Sequence, residues 1–135
     1  MELNEYMDYI VGIFGGPTPE LDALLFVMVV DIISGFLKCA YHKSEKTESG
    51  KFSSKEFRKG LIQKVGVLLV VAVSGVISKV MGLEAIQPTI IIAFVLEESL
   101  SVLENLALIG VPMPQKLKNL LDVLEETYKE PPKKQ

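Results

Sequence analysis

Four carboxylates lie inside otherwise apolar stretches of this chain, where an ionised side chain is costly. Asp31 falls near the middle of the first stretch, and Glu97, Glu98 and Glu104 fall within the last one. A carboxylate at the centre of a membrane helix costs about 2.5–3.5 kcal/mol on insertion scales, so each one needs a partner group or water. We expect these residues to line a pore or to control assembly. For Asp31 the alternative is a structural hydrogen bond within a static helical bundle.

Small and polar residues share the helical face of Asp31. Ser34, Gly35 and Lys38 follow it at spacings of three, four and seven residues, which places all four on one side of a helix. Such a face allows close packing of membrane helices. We therefore include these three residues among the candidates for a pore-lining or assembly-controlling role.

The last apolar stretch carries two adjacent polar faces. Glu98 shares one face with Ser101 and Asn105, whereas Glu97 and Glu104 share the neighbouring face with Ser101. Three carboxylates on a lone lipid-facing helix would barely insert, so this helix needs partner helices, a water-filled lumen or protonation. Paired carboxylates can also act as acid and base, but no second catalytic residue type recurs near them.

The elements that must position these residues are three long apolar stretches, Leu21–Ala40, Leu61–Leu83 and Ile86–Gly110. About 20 helical residues cross the roughly 30 Å hydrocarbon core of a bilayer. The hydrophobic fraction of 49% would also suit a soluble domain, but Val65–Val73 contains no polar side chain at all. We therefore predict an all-α integral membrane protein with three transmembrane helices. A soluble bundle with buried core helices is the alternative.

The remaining segments complete a single membrane domain, 1–135. We predict a short amphipathic N-terminal segment at 1–16, a basic connection at 41–60 and an amphipathic tail helix at 114–130.

The charge distribution predicts how the chain crosses the membrane. The first 37 residues hold six acidic residues and no Lys or Arg, whereas 38–64 hold eight basic residues against three acidic ones. Because basic connections stay on the cytoplasmic side, we expect the N-terminus outside and the C-terminus inside. Lys79, near the outer end of the second stretch, fits this orientation only if it snorkels to the interface.

The second apolar stretch is rich in small residues. Gly66, Ser74, Gly75 and Ser78 are candidates for helix packing, and Ser74 and Ser78 form a small-xxx-small pair. The pattern is compatible with self-association and equally with packing inside one chain.

Several classes of function find no support in the sequence. A single cysteine, Cys39, excludes an internal disulfide. There is no nucleophile–base pair, phosphate loop or cluster of metal ligands. We therefore expect no enzyme activity, no catalytic residue, no metal and no cofactor. We also expect no nucleic-acid partner, because the basic residues are concentrated in one connection as a topology signal.

Four blocks of residues occur in order along the chain: Leu24–Asp31 with Ser34-Gly35 and Lys38; Ser53-Ser54-Lys55 with Gly60, Lys64 and Leu68–Ala72; Glu98–Asn105; and Gly110–Pro114 with Leu117. Together they resemble the phage holin family that includes the holin of pneumococcal phage Cp-1 and the toxin-secretion proteins of clostridia. The similarity covers about residues 21–124. Two positions depart from the family pattern: Glu97-Glu98-Ser99 stands where Asn-Glu-Gly is usual, and Ser78 stands where an Asp is frequent.

The resemblance implies a lysis protein of the bacterial cytoplasmic membrane. Such holins form homo-oligomers that open holes, through which an endolysin or, in clostridial relatives, a large toxin passes; an antiholin is a possible further partner. We expect the polar stripes to be poorly satisfied in one chain and to find partners when copies assemble around water. The alternatives are a small ion channel or transporter subunit, and an antiholin-type regulator.

Overall fold

The structure, a computed structural model, describes residues 2–45 and 54–129 and is helical throughout that part of the chain, without a strand. The five helices are α1 (Leu3–Ile13), α2 (Pro19–Glu45), α3 (Ser54–Met81), α4 (Ile86–Leu108) and α5 (Gln115–Lys129).

Three of these helices are long and apolar enough to cross a membrane. Their candidate spans are Pro19–Tyr41, Lys55–Met81 and Ile86–Leu108, with 23, 27 and 23 residues. This confirms the predicted all-α fold with three membrane-spanning helices. Helices α2 and α3 extend further into the basic connection than expected, so that only 46–53 of it lie outside the described residues.

Local chemistry sets the start of α2. Thr18 stands just before the helix, and its Oγ1 accepts a hydrogen bond of 3.3 Å from the backbone N–H of Leu21. Pro19 occupies the first helical position, where its missing N–H is not needed. Glu20 and Asp22 lie in the first turn, where negative charge interacts favourably with the helix dipole.

The turn between α3 and α4 is equally well defined. Gly82 adopts a positive φ of 66°, a conformation that side-chain-bearing residues rarely adopt. The N–H of Leu83 donates to the carbonyl of Ser78 at 3.0 Å, and Ser78 Oγ donates to the carbonyl of Leu83 at 2.6 Å. These bonds satisfy groups at the end of α3 and turn the chain sharply into α4.

The three spans pack with α4 in contact with both others. Helix α4 runs parallel to α2 and packs along it, and it contacts α3 less extensively. A core of Leu24, Met28, Val71 and Ile91 joins the three helices. We call the part of the bundle nearest α1 the α1 half (19–30, 68–81 and 86–96) and the rest the α5 half (31–45, 54–67 and 97–108).

The outward faces of the spans are strongly apolar. Phe26 and Ile33 of α2 are 70% and 53% exposed, and Ile62 and Val80 of α3 are 70% and 82% exposed. Continuous apolar surface of this kind is unsuited to water and is what hydrocarbon chains would cover. The protein is therefore a membrane protein with a lipid-facing exterior.

Candidate functional site

The most distinctive group in the bundle is an ion cluster formed by Asp31, Lys64 and Glu98, one from each span. Lys64 Nζ lies 2.6 Å from Asp31 Oδ2 and 2.5 Å from Glu98 Oε2. All three side chains are only 11–13% exposed. A single ammonium group therefore bridges two carboxylates that would otherwise repel each other inside the protein.

One amide group and one hydroxyl group, those of Asn105 and Ser34, extend the ion cluster along α2 and α4. Asn105 Nδ2 donates to Asp31 Oδ1 at 3.2 Å and to Ser34 Oγ at 3.1 Å. Ser34 Oγ in turn donates to the backbone carbonyl of Asp31 at 3.0 Å. Ser34 and Asn105 are both buried. The sequence spacing produces this arrangement, because Asp31 and Ser34 are neighbours on α2 while Glu98 and Asn105 share one face of α4.

The buried polar groups are satisfied within one chain. Among the described residues, no buried side-chain nitrogen or oxygen lacks a hydrogen-bond partner. For Asp31, Glu98 and Asn105, the expectation that they find partners only when copies assemble is wrong for this conformation, because the three spans provide them. For Ser101 and Glu104 it stays a prediction. Burial of an unpaired charge would be far more costly than this arrangement.

The ion cluster lies roughly halfway along the bundle. Asp31 is about 18 Å along α2 from Pro19, at a rise of 1.5 Å per residue. Towards α1 the space between the spans is filled by the apolar core, and towards the opposite end it widens into a cavity of about 480 Å³.

Most of the other predicted polar residues line that cavity. Gly35, Lys38, Glu97 and Ser101 all contribute to its wall, together with the ion cluster. A Cβ added to Gly35 would lie 3.8 Å from Asn105 Nδ2, an ordinary contact distance. Glu104 is not among the lining residues and lies on an exposed face of α4. The structure thus brings the predicted polar residues of α2 and α4 together, with Glu104 the exception.

The small residues of α3 divide into two groups. Ser74 and Gly75 are buried inside the bundle, and Ser78 bonds to the turn that follows α3. At Gly66, by contrast, an added Cβ would meet nothing within 4 Å. Packing inside one chain therefore accounts for Ser74 and Gly75, whereas Gly66 makes no close helix contact.

Lys64 was not among the residues selected from the sequence, although it completes the ion cluster. It counted there as one of eight basic residues that set the orientation and as part of a block that resembles the holin family, without a role of its own. One signal was available: two carboxylates in neighbouring spans require a cation, and Lys64 follows Leu61 and Ile62 within the apolar stretch.

Gln87 was missed as well. Its Nε2 donates to the backbone carbonyl of Val71 at 3.0 Å. Its side chain lies between Gly15, which has a φ of 93°, and Gly75, where an added Cβ would come within 2.6 Å of Gln87 Nε2. Gln87 thereby joins α4 to α3 and to the segment after α1. In the sequence it is the second residue of the last apolar stretch, and nothing at that position indicates burial.

The chemistry open to the ion cluster is electrostatic. In the part of the chain that the structure describes, no three His, Cys, Asp or Glu side chains are grouped to hold a metal ion. The cluster can hold the three spans in one arrangement, and it can release them if a charge is neutralised or finds another partner.

Comparison with known proteins places the chain in a family. The model of the bacteriophage holin family matches residues 8–126. A probable holin of Bacillus phage phi105 is 32% identical over 111 residues, which cover 82% of this chain and 77% of the phage protein.

Two bacterial proteins are similar to this chain to about the same degree. Uncharacterized protein Lmo0128 of Listeria monocytogenes is 32% identical over 119 residues, covering 84% of this chain and 80% of its own. Uncharacterized protein YqxH of Bacillus subtilis is 29% identical over 116 residues, covering 85% and 77%. No solved structure matches the chain. The match of the family model extends across α2, α3 and α4, and the chain belongs to the bacteriophage holin family.

Proposed function

We propose that this protein is a phage or prophage holin that accumulates in the bacterial cytoplasmic membrane, oligomerises and opens holes large enough to pass a protein. The observation that carries the proposal is the family match over residues 8–126, which includes all three spans. The cargo is an endolysin that reaches the cell wall or, as an alternative, a large toxin.

The ion cluster suggests how such a protein stays harmless until it assembles. Lys64 holds Asp31 and Glu98 within one chain, so a protomer can sit in the membrane without exposing these three charges to lipid. Opening a hole requires the spans to separate and their polar groups to turn towards water or towards other protomers. A charge of the ion cluster that loses its partner while it is still buried is strongly unfavourable, so the spans can separate only as water or another protomer takes the partner's place. This cost provides a physical reason for a delay before holes open.

The proposed orientation places the α1 half outside and the α5 half inside. It rests on the basic residues of 38–64 and on Lys116 and Lys118 beyond α4, because positive charge is retained on the cytoplasmic side. We accordingly call the α5 half the inner half of the bundle when discussing access from the cytoplasm.

Helix α5 is the proposed site of additional contacts between protomers on the cytoplasmic side. Among the described residues it makes at most slight contact with the other helices, and Leu120 is 53% exposed. If α5 contributes to assembly, deletion of residues 115–135 will reduce the size of the oligomer recovered by crosslinking. An oligomer of unchanged size would show that α5 does not contribute to assembly.

The central experiment is inducible expression in a bacterium, with optical density and membrane potential followed together. Cultures carry or lack a co-expressed cytoplasmic endolysin. We expect sudden depolarisation after a delay, with lysis only in the presence of the endolysin. An uncoupler added to cells that make the endolysin alone is the control, because it depolarises the membrane without opening a hole for protein.

Two outcomes would contradict the proposal. Growth without depolarisation would indicate a regulator of the antiholin type. Slow ion leakage without release of the endolysin would indicate a small channel or transporter subunit.

A further inference from the structure

The cavity in the α5 half is large enough to hold many water molecules. Its volume is about 480 Å³, room for some 16 water molecules at about 30 Å³ each. The space lies between α2, α3 and α4, all of which contribute to its wall. Small residues keep it open, since Gly35, Gly60 and Ser101 contribute to its wall.

The wall contains charged side chains that are unsuited to lipid chains. Four carboxylates and two ammonium groups line the cavity, among them Glu97 and Lys38 outside the ion cluster. Hydrocarbon cannot solvate such groups, and polar groups at membrane depth are tolerated where they line water. Although the surrounding connection is basic, the lining itself holds two more carboxylates than ammonium groups. A charged cleft with low-dielectric walls concentrates ions of the opposite sign, so the interior of the cavity favours cations.

The cavity is closed at one end. Cys39 and Phe57 line it near the end of the spans, and the ion cluster lies about 12 Å deeper, eight residues along α2 from Cys39. Beyond the cluster, core side chains fill the space between the spans, and Leu24 and Val71 are fully buried there. Water entering from the α5 half would therefore stop at Lys64.

We propose that each protomer contains an inward-open, water-filled vestibule that admits small cations and ends blind at the ion cluster of Asp31, Lys64 and Glu98. Its direction depends on the orientation proposed above, but its existence does not depend on lysis. A single copy is thus half of an aqueous path, closed by the apolar core of the α1 half.

Cysteine labelling with membrane-impermeant methanethiosulfonates tests this vestibule in the full chain. The native Cys39 probes its mouth. Ser101→Cys, made in a Cys39→Ser background, probes its interior. Ile33→Cys in the same background is the matched control, because Ile33 lies close to the ion cluster along α2 but is 53% exposed on the lipid-facing side. Val71→Cys probes the closed core.

Labelling is measured before depolarisation, in inverted vesicles and in spheroplasts. In inverted vesicles we expect the cationic trimethylammonium reagent to label Ser101→Cys about tenfold faster or more than Ile33→Cys. We also expect Ser101→Cys to react faster with the cationic reagent than with the anionic sulfonate reagent, after each rate is corrected for that reagent's rate with a free thiol. Val71→Cys should remain unlabelled from both sides.

Three results would overturn the proposal or one of its parts. Equal rates at Ser101→Cys and Ile33→Cys would mean that the cavity is filled by lipid or closed. Absence of a preference for the cationic reagent at native Cys39 and at Ser101→Cys would remove the cation selectivity. Labelling in spheroplasts alone would place the opening on the outer side. Since lysis is scored separately, a hole-former without a vestibule and a vestibule without holes are distinguishable.

Discussion

In the α1 half of the bundle, apolar side chains fill the space between the spans, whereas the α5 half is built around Lys64 and two carboxylates. The apolar half fits together by shape. The polar half is held by charges whose partners could be exchanged for water or for groups of another protomer. The difference suggests that the α1 half keeps the three helices together while the α5 half carries the capacity to rearrange.

Removal of the bridging cation should have the largest effect. Lys64→Met leaves Asp31 and Glu98 facing each other without compensation. Removing one partner of a buried pair costs about 3–5 kcal/mol, so we expect the free energy of unfolding in detergent micelles to fall by about 3 kcal/mol. Unfolding in increasing dodecyl sulfate, followed by circular dichroism, measures this change.

Two controls separate the ion cluster from a general effect of lost charge. Lys79→Met removes an exposed lysine from the far end of α3 and should alter stability by less than about 0.5 kcal/mol. Adding Asp31→Asn and Glu98→Gln to Lys64→Met should restore most of the loss, since no charge is then left unpaired. A small loss for Lys64→Met would show that the carboxylates are solvated without it.

A cavity in the α1 half should have the next largest effect. Leu24 is fully buried in the core, and Leu24→Ala leaves a void that the neighbouring helices only partly fill. Such changes cost about 2–5 kcal/mol in soluble cores. We expect about 2 kcal/mol, because lipid is as apolar as the core and the transfer contribution is small.

The adjacent Leu25, which is 44% exposed, supplies the matched variant for Leu24→Ala. Leu25→Ala should change stability by less than about 1 kcal/mol in the same unfolding assay. Equal losses at the two positions would mean that the α1 half is not a specifically packed core, and the contrast between the halves would disappear.

Neutralising one carboxylate should have a smaller effect on stability and a visible effect on timing. Asp31→Asn keeps the size of the side chain but leaves Lys64 with Glu98 as its remaining charged partner. Because a charge-assisted hydrogen bond contributes about 1.5–3 kcal/mol and a neutral one about 0.5–1.5, we expect a loss of about 1 kcal/mol. The α5 half should then open more readily and lysis should begin earlier.

The delay between induction and depolarisation measures this effect, with the amount of protein in the membrane compared by immunoblotting. Asp22→Asn, an exposed acid in the first turn of α2, should leave the delay unchanged. An unchanged delay for Asp31→Asn, with normal insertion, would reduce Asp31 to a structural role.

The three spans could be predicted from the sequence because length and apolarity are local properties of a segment. Asp31 and Glu98 could be selected for the same reason, since a charge within such a segment is visible without knowledge of its neighbours. Lys64 could not be assigned to them in this way. The polar and apolar residues of α3 are not separated onto different faces, so no amphipathic pattern indicates which side of it faces the other spans.

Gln87 illustrates a second limit. A polar residue near a turn is ordinarily exposed, and its burial depends on two glycines, Gly15 and Gly75, that are far from it in sequence. Close approach of three segments cannot be deduced from the pattern of any one of them. The same limit explains why Gly66 and Gly75 were grouped together although their surroundings differ.

Gly66 and Gly75 of α3 provide the last and smallest test of the comparison between the two halves. Gly75→Ala would place a Cβ 2.6 Å from Gln87 Nε2, and Gln87 has little room to move because it also lies against Gly15 and bonds to Val71. Overpacking costs about 1–3 kcal/mol, partly offset by the better helix propensity of alanine, so we expect a net loss of about 1 kcal/mol. Gly66→Ala meets open space and should be neutral or stabilise α3 by about 0.5–1 kcal/mol. The unfolding assay compares the two variants directly. If Gly66→Ala instead lowers the yield of crosslinked oligomers without lowering stability, Gly66 contacts another protomer, and α3 then supplies part of the assembly surface.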